Sequence, residues 1–310
     1  MKVKGAYIKL ILTAVFVGIL CCVVDKDKFV AALKAVPLSL ILIAAAGYAV
    51  TQAISATKWW VLVRSAGIEV SLGYVIQIFF IGMFVNVVGV GTVGGDIVRA
   101  LMLDKKDKNK GASLATVVAD RAIGLSVLAS IGLIAGSIFG SLTEEPKLAV
   151  LALLVIIAVI LGFYYVTEIL GYAAKKLPRF ARYFNQIATA FPRDKKIFAK
   201  VVLLAIVFHL SQISLVAYII KGLGAEVPIS YILFAVPFIN LVTTLPISWM
   251  GLGLREGAYA FFFAPKYFES SEQALLVGSI WFVAMVIAGG VGGIFSFLKK
   301  KDLLPSFNDD

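Results

Sequence analysis

Uncharged apolar runs recur along the whole chain, most of them near the roughly 18 residues or more that a helix needs to cross about 30 Å of hydrocarbon. Six read as plain spanning helices: Leu10–Val24, Leu38–Thr57, Ala122–Leu142, Leu148–Thr167, Val201–Ile220 and Gln273–Leu298. The first is short unless its flanking Tyr7 and Lys9 reach to the interface. With 61% hydrophobic against 15% charged residues, the chain carries more apolar surface than a soluble core absorbs, so residues 1–310 read as one integral membrane domain. Cys21 and Cys22, adjacent in the first run, cannot form an ordinary disulfide framework and are expected to be buried small hydrophobes. Leu20 stands where a lipoprotein signal needs a small residue, so the first run is expected to be a retained helix.

Two further segments differ in kind. Val70–Gly95 and Val227–Leu254 carry no charge, yet they end in Gly89-Val90-Gly91-Thr92-Val93-Gly94-Gly95 and in Pro246-Ile247-Ser248-Trp249-Met250-Gly251-Leu252-Gly253. Such stretches do not continue a lipid-facing helix, because an unmet backbone amide in hydrocarbon costs several kcal/mol. Loop charges decide how the segments run. If all eight segments crossed with the N-terminus inside, the loop of Lys105, Lys106, Lys108 and Lys110 would lie outside, as would the basic stretch Lys175–Lys200. That inverts the positive-inside rule. If each Gly-rich segment instead turns and leaves on the side it entered, every strongly basic loop falls inside, with Lys58 and Arg64 also on the cytoplasmic side.

The expected fold is therefore all-α: a polytopic membrane helical bundle with six full spans and two re-entrant helical hairpins in an inverted repeat. The hairpins span about 72–103 and 229–266, and both termini are cytoplasmic at the cell membrane. Around 168–196, Ile169, Leu170, Tyr172, Leu177, Phe180, Tyr183, Phe184 and Ile187 alternate with basic residues, as in an amphipathic helix lying on the inner leaflet. The formal charge of +11 is spread over short clusters between apolar runs, which suits anionic inner-leaflet headgroups and not nucleic acid.

Both interrupted segments share one plan: an apolar arm, an asparagine, a Gly or Pro break, then charge. Asn86 precedes Gly94, Gly95, Asp96 and Arg99; Asn240 precedes Ser248, Gly251, Gly253, Arg255 and Glu256. Broken half-helices entering from opposite faces meet near the midplane and bind polar or charged groups there. Two glycine-kinked helices with no shared site are the alternative. Ionisable residues inside membrane segments point to function, and here they are Asp96, Arg99, Asp120, Arg121, Arg255, Glu256 and His209. Three acids balance three arginines, so an ion-pair network that only locks the hairpins together is a second reading. Asp120 and Arg121, at the start of a helix, point about 100° apart and should reach different partners, for which Arg99 and Glu256 are the candidates. The functional reading has arginines and Gly-rich backbone amides at half-helix N-termini receive a phosphate. His209, followed by Ser211, Gln212 and Ser214, reads as a hydrogen-bonded packing residue, with proton coupling as its alternative.

No zinc spacing, nucleotide loop or nucleophile arrangement is present, so no cofactor, metal or catalytic residue is expected. At Asn86, Gly94-Gly95-Asp96, Arg99, Asp120-Arg121 with Gly124, and Pro246-Ile247-Ser248 leading to Gly251-Leu252-Gly253-Leu254-Arg255-Glu256-Gly257, the chain resembles the flippase-like membrane region of lysylphosphatidylglycerol synthase, also called multiple peptide resistance factor, and its stand-alone relatives. The resemblance implies translocation of a phospholipid or polyisoprenoid-phosphate-linked lipid. Aminoacyl transfer is not expected of this chain, since that family's transferase is a separate soluble domain. The competing classes are a membrane enzyme acting on a lipid-linked phosphate, with Asp96, Asp120 or Glu256 as acid, base or ligand, and a scaffold for a separately encoded lipid-modifying transferase. Expected partners are membrane lipids, that transferase and a second copy of the chain.

Overall fold

The computed structural model describes residues 2–89, 92–107, 111–138, 165–245 and 247–298, with isolated positions between 150 and 162. Among them every regular element is helical. In chain order these are α1 (Lys2–Val23), α2 (Lys26–Ala35), α3 (Leu38–Ser65), α4 (Leu72–Val88), α5 (Thr92–Asp107), α6 (Ala112–Ile138), α7 (Val166–Lys176), α8 (Ala181–Ala190), α9 (Lys195–Gly222), α10 (Ile229–Thr244), α11 (Leu254–Tyr267) and α12 (Ser271–Leu298). Single 3-10 turns lie at Pro178–Phe180 and Trp249–Gly251.

Helix boundaries follow local chemistry. Pro37 and Pro228 precede α3 and α10, where a missing N–H costs nothing. The side chains of Asp25, Ser71 and Asp194 accept from first-turn amides of α2, α4 and α9. Among the described residues four helices, α3, α6, α9 and α12, are long and apolar enough to cross a membrane. At about 1.5 Å per residue a 28-residue helix such as α3 is about 42 Å long. Their outward positions stay apolar: Leu42, Val50, Leu203, Val207, Ile287 and Ile294 are exposed. Exposed apolar surface on that scale belongs in lipid. Cys22, expected to be buried, is on the exposed face of α1. The span expected at Leu148–Thr167, the break residues Val90, Gly91 and Pro246, and the tail from Lys299 lie wholly or largely outside the described residues.

Both interrupted segments fold as helical hairpins. In the first, α4 and α5 run antiparallel: Tyr74 near the base donates its hydroxyl to the Met102 carbonyl (2.8 Å), and Asn86 near the tip accepts from the Gly95 amide (2.7 Å). Between them Gly82 and Gly95 bring the two backbones together, and a Cβ on Gly95 would run into the Gly82 carbonyl. In the second, α10 and α11 repeat the arrangement, with Tyr231 donating to the Phe262 carbonyl (2.7 Å) at the base and Thr243 against Gly251 at the tip. Tyr74 and Tyr231 each occupy the third residue of their hairpin's first arm.

Long neighbouring helices show how the hairpins are oriented. Along α12, Glu256 of α11 lies beside Gly278, Val87 near the first tip lies beside Gly289, and Phe80, farther down that stem, lies beside Gly292. The base of α11 at Tyr267 adjoins the start of α12 at Ser271. The order along α12 is thus second base, second tip, first tip, first stem. On α3, Leu40, Ala44 and Tyr48 pack in one core with Ile232 and Phe263 of the second stem, while Trp59 and Val63 pack in another with Val75, Met102 and Leu103 of the first. The hairpins point at one another.

Candidate functional site

The two tips meet over a cavity of about 210 Å³ whose walls come from α3, α4, α5, α6, α9, α10 and α12, with Met250 from the second break and Arg255 from the start of α11. Local sequence builds that second break. Met250, Gly251 and Gly253 all have positive φ (51°, 78° and 79°), so three left-handed residues turn the chain within four positions. α1 crosses this turn: the Trp249 amide donates to Thr13 Oγ1 (2.7 Å), and Phe16 packs against Gly253.

Charge within the cavity is organised around two aspartates on adjacent helices. Asp120 of α6 forms an ion pair with Lys58 of α3 (Nζ to Oδ1, 3.0 Å) and accepts from Arg99 of α5 (Nη2 to Oδ2, 3.2 Å). Asp96 of α5 is ion-paired with Arg99 (Nε to Oδ1, 3.2 Å) and accepts from Arg121, through Nε (2.9 Å) and Nη2 (3.0 Å). Arg99 also lies between the Trp59 and Phe79 rings, 4.7 and 5.0 Å from their centroids. This holds the guanidinium by cation–π attraction as well as by charge. Lys58, Arg99 and Asp120 are 2%, 3% and 4% exposed, whereas the Arg121 side chain is 43% exposed.

Asn86, Gly95, Asp96, Arg99, Asp120, Arg121, His209, Asn240 and Arg255 all line this cavity. Gly94, Ser248, Gly251, Gly253 and Glu256 do not; they lie in or behind the breaks. Asp120 and Arg121 reach different partners, as their spacing implies, but they sit inside α6, which begins ten residues before the expected helix start at Ala122. Of the expected partners, Arg99 meets Asp120, whereas Glu256 does not meet Arg121, which pairs with Asp96. Arg99 is taken by the two aspartates, and Glu256 turns back on its own helix, its Oε2 accepting from the Gly253 amide (2.6 Å). That bond is local, three residues apart, and needs no partner helix, so it wins over a distant cation. The backbone amides of Gly95 and Gly253, expected to face a phosphate, are likewise occupied by Asn86 and Glu256. His209 is buried, with Nε2 donating to the Gly124 carbonyl (2.9 Å).

Sequence reasoning placed Lys58 on the cytoplasmic side, just past a span ending at Thr57, and the structure places it in the cavity. The missed signal was the apolar run Trp59-Trp60-Val61-Leu62-Val63 that continues after it, which makes Lys58 a mid-helix charge. Its inclusion, with Glu256 facing elsewhere, changes the electrostatic balance. Among the described residues four cations, Lys58, Arg99, Arg121 and Arg255, face the cavity against two carboxylates, a formal net charge of +2. Arg255 is 6% exposed, and its Nε and Nη1 have no hydrogen-bond partner among the described residues. A buried guanidinium left in that state is costly unless an anion or water meets it.

Comparison with known proteins agrees with this architecture. The chain is 30% identical to a UPF0104 membrane protein of Pyrococcus horikoshii over 120 residues, which is 38% of this chain and 36% of that relative, about a third of the relative's length. A family model described as the lysylphosphatidylglycerol synthase TM region matches residues 7–293, a range that holds both hairpins and every charged residue of the cavity. The chain belongs to the family of the lysylphosphatidylglycerol synthase transmembrane region, an integral membrane domain.

Proposed function

We propose that this protein moves a phospholipid or a polyisoprenoid-phosphate-linked lipid between the leaflets of the cell membrane. The headgroup phosphate binds between the hairpin tips while the hydrocarbon chain stays in lipid. The observation that carries the reading is Arg255: a buried guanidinium with two nitrogens unpartnered among the described residues, in a cavity whose lining carries a net +2. A phosphate diester supplies the negative charge and acceptor oxygens that such a site is short of. In this reading Asp96 and Asp120 hold Arg99, Arg121 and Lys58 in place and exchange partners as access alternates.

The same reading takes the opposed hairpins as re-entrant, with six full spans around them and both termini cytoplasmic, because that topology puts the basic loops inside. Helices α7 and α8 then rest on the inner leaflet. Ile169, Tyr172, Phe180 and Tyr183 are exposed there beside Lys175, Lys176, Arg179 and Arg182, which suits contact with anionic headgroups.

The test is a leaflet-redistribution assay on protein reconstituted into liposomes with fluorescent phospholipids. Arg255→Ala and Asp120→Ala are each expected to slow redistribution about tenfold or more, the factor that corresponds to losing one charged hydrogen bond. Unchanged rates in both variants, at normal folding, would remove the proposed site.

A further inference from the structure

The three acids beside the hairpin tips are not alike. Asp96 and Asp120 are each held by two cations. Glu256 is 6% exposed and has no ion pair among the described residues. Its Oε2 takes the Gly253 amide, while Oε1 is fully enclosed without a hydrogen-bond partner among the described residues. The elements packed on this turn bring no charge to it. α12 meets Glu256 with Gly278, α1 meets Gly253 and Gly257 with Phe16 and Leu20, and α10 meets Gly251 with Thr243. The charge that acts on Glu256 is that of Arg255, the preceding residue. One turn further along α11, Tyr259 adds a buried hydroxyl that is also unpartnered among the described residues and feels both charges.

A carboxyl in such surroundings is costly as an unpaired anion and cheap as a neutral acid, unless a neighbouring cation lacks an anion of its own. Arg255 is that cation. With a phosphate on the guanidinium, negative charge on Glu256 has nothing left to balance; with the phosphate gone, Glu256 is the acid beside Arg255 that no other cation holds. Resting on the phosphate reading, we propose that Glu256 is a proton-binding site coupled to the anion: Oε1 takes a proton from water as the anion binds Arg255 and returns it to water as the anion leaves. The lipid is carried together with a proton. Because Oε1 is enclosed, exchange requires the break to shift, which keeps proton and anion moving together. His209 is the poorer carrier. Its Nε2 and Lys58 Nζ stand 3.8 and 3.2 Å from where a Cβ on Gly124 would lie, so a charged ring would sit beside a second cation.

Binding of dioctanoyl phosphatidylglycerol to the detergent-purified full chain tests this, since the phosphodiester of that probe does not titrate near neutral pH. Affinity is read from tryptophan fluorescence, because Trp281 lines the cavity, and proton uptake from a pH indicator in weak buffer. Somewhere between about pH 5 and 8, the chain is expected to take up about half a proton or more per lipid bound. Reciprocity then requires affinity to fall about threefold or more per pH unit over the same range. Glu256→Gln, which keeps an acceptor for the Gly253 amide, is expected to bind with no uptake and a flat pH profile. His209→Asn is expected to keep the uptake per lipid bound, whatever it does to affinity. Uptake below about 0.2 proton per lipid in the unaltered chain overturns the proton site and leaves the phosphate site standing. So does uptake that survives Glu256→Gln or vanishes in His209→Asn, or binding that needs sodium in place of choline at fixed pH. If Glu256→Gln does not fold, the unaltered chain and His209→Asn decide. Absence of binding, or binding that Arg255→Ala leaves intact, overturns the phosphate reading instead.

Discussion

Asp120 Oδ1 stands 3.0 Å from Lys58 Nζ, joining residues 62 positions apart in a pair that is almost wholly buried. Asp120 holds two cations and Lys58 has one acid, so the pair is asymmetric. Asp120→Asn leaves Lys58 charged and without a carboxylate among the described residues, whereas Lys58→Met leaves Asp120 with Arg99. We expect Asp120→Asn to lower stability by about 3–5 kcal/mol, the usual cost of stranding a buried charge, and Lys58→Met by clearly less. Thermal unfolding in detergent, followed by tryptophan fluorescence, measures both; equal losses would contradict the two-cation account of Asp120.

Neighbouring glycines at the start of α5 should respond in opposite ways. A Cβ on Gly95 would run into the Gly82 carbonyl and stand 2.6 Å from Asn86 Oδ1, whereas one on Gly94 would make ordinary contact with Val85 at 3.8 Å. Gly95→Ala is expected to cost about 1–3 kcal/mol through forced separation of the arms. Gly94→Ala should cost nothing and gain up to about 1 kcal/mol of helix propensity. Unfolding midpoints of the two variants decide the matter.

Glu256 acts as a cap, so the shape of its side chain matters more than its charge. Gln at this position can still accept from the Gly253 amide, and Glu256→Gln should keep most of the stability. Glu256→Ala loses that bond and should cost about 1 kcal/mol. If Glu256 instead served as a counter-ion to a distant arginine, the two variants would be equally damaging in the same unfolding measurement.

The hairpin bases rest on two equivalent tyrosines. Tyr74→Phe and Tyr231→Phe each delete one hydroxyl bond to a carbonyl across the hairpin, and each is expected to cost about 0.5–1.5 kcal/mol. Because these bonds have no partner in common, the double variant should show the sum within about 0.5 kcal/mol. A much larger combined loss would mean that the bases communicate through the bundle.

Much of this architecture is legible in the residues alone because its causes are local. Run length and the absence of charge define α3, α6, α9 and α12 as long apolar helices, and Gly-rich stretches after Asn86 and Asn240 break the two segments wherever they are placed. The spacing of Asp120 and Arg121 on one helix already separates their partners. Loop charge even anticipates opposed hairpins, since it depends on counting lysines and arginines and not on contacts.

Pairing across the bundle is a different kind of fact. The apolar run after Lys58 makes it a mid-helix charge, but its pairing with Asp120 depends on how α3 and α6 pack side by side, which no local pattern carries. The same holds for Arg121, which meets Asp96 and not Glu256, and for Gln52 and Gln212, which α3 and α9 bring to one cavity. An amino-acid sequence by itself determines where this chain can be helical and where it must break. Only tertiary structure decided which charges neutralise one another and which, like Arg255, remain open, because electrostatic energy in a low-dielectric interior depends on distances of a few ångströms between segments far apart in the chain.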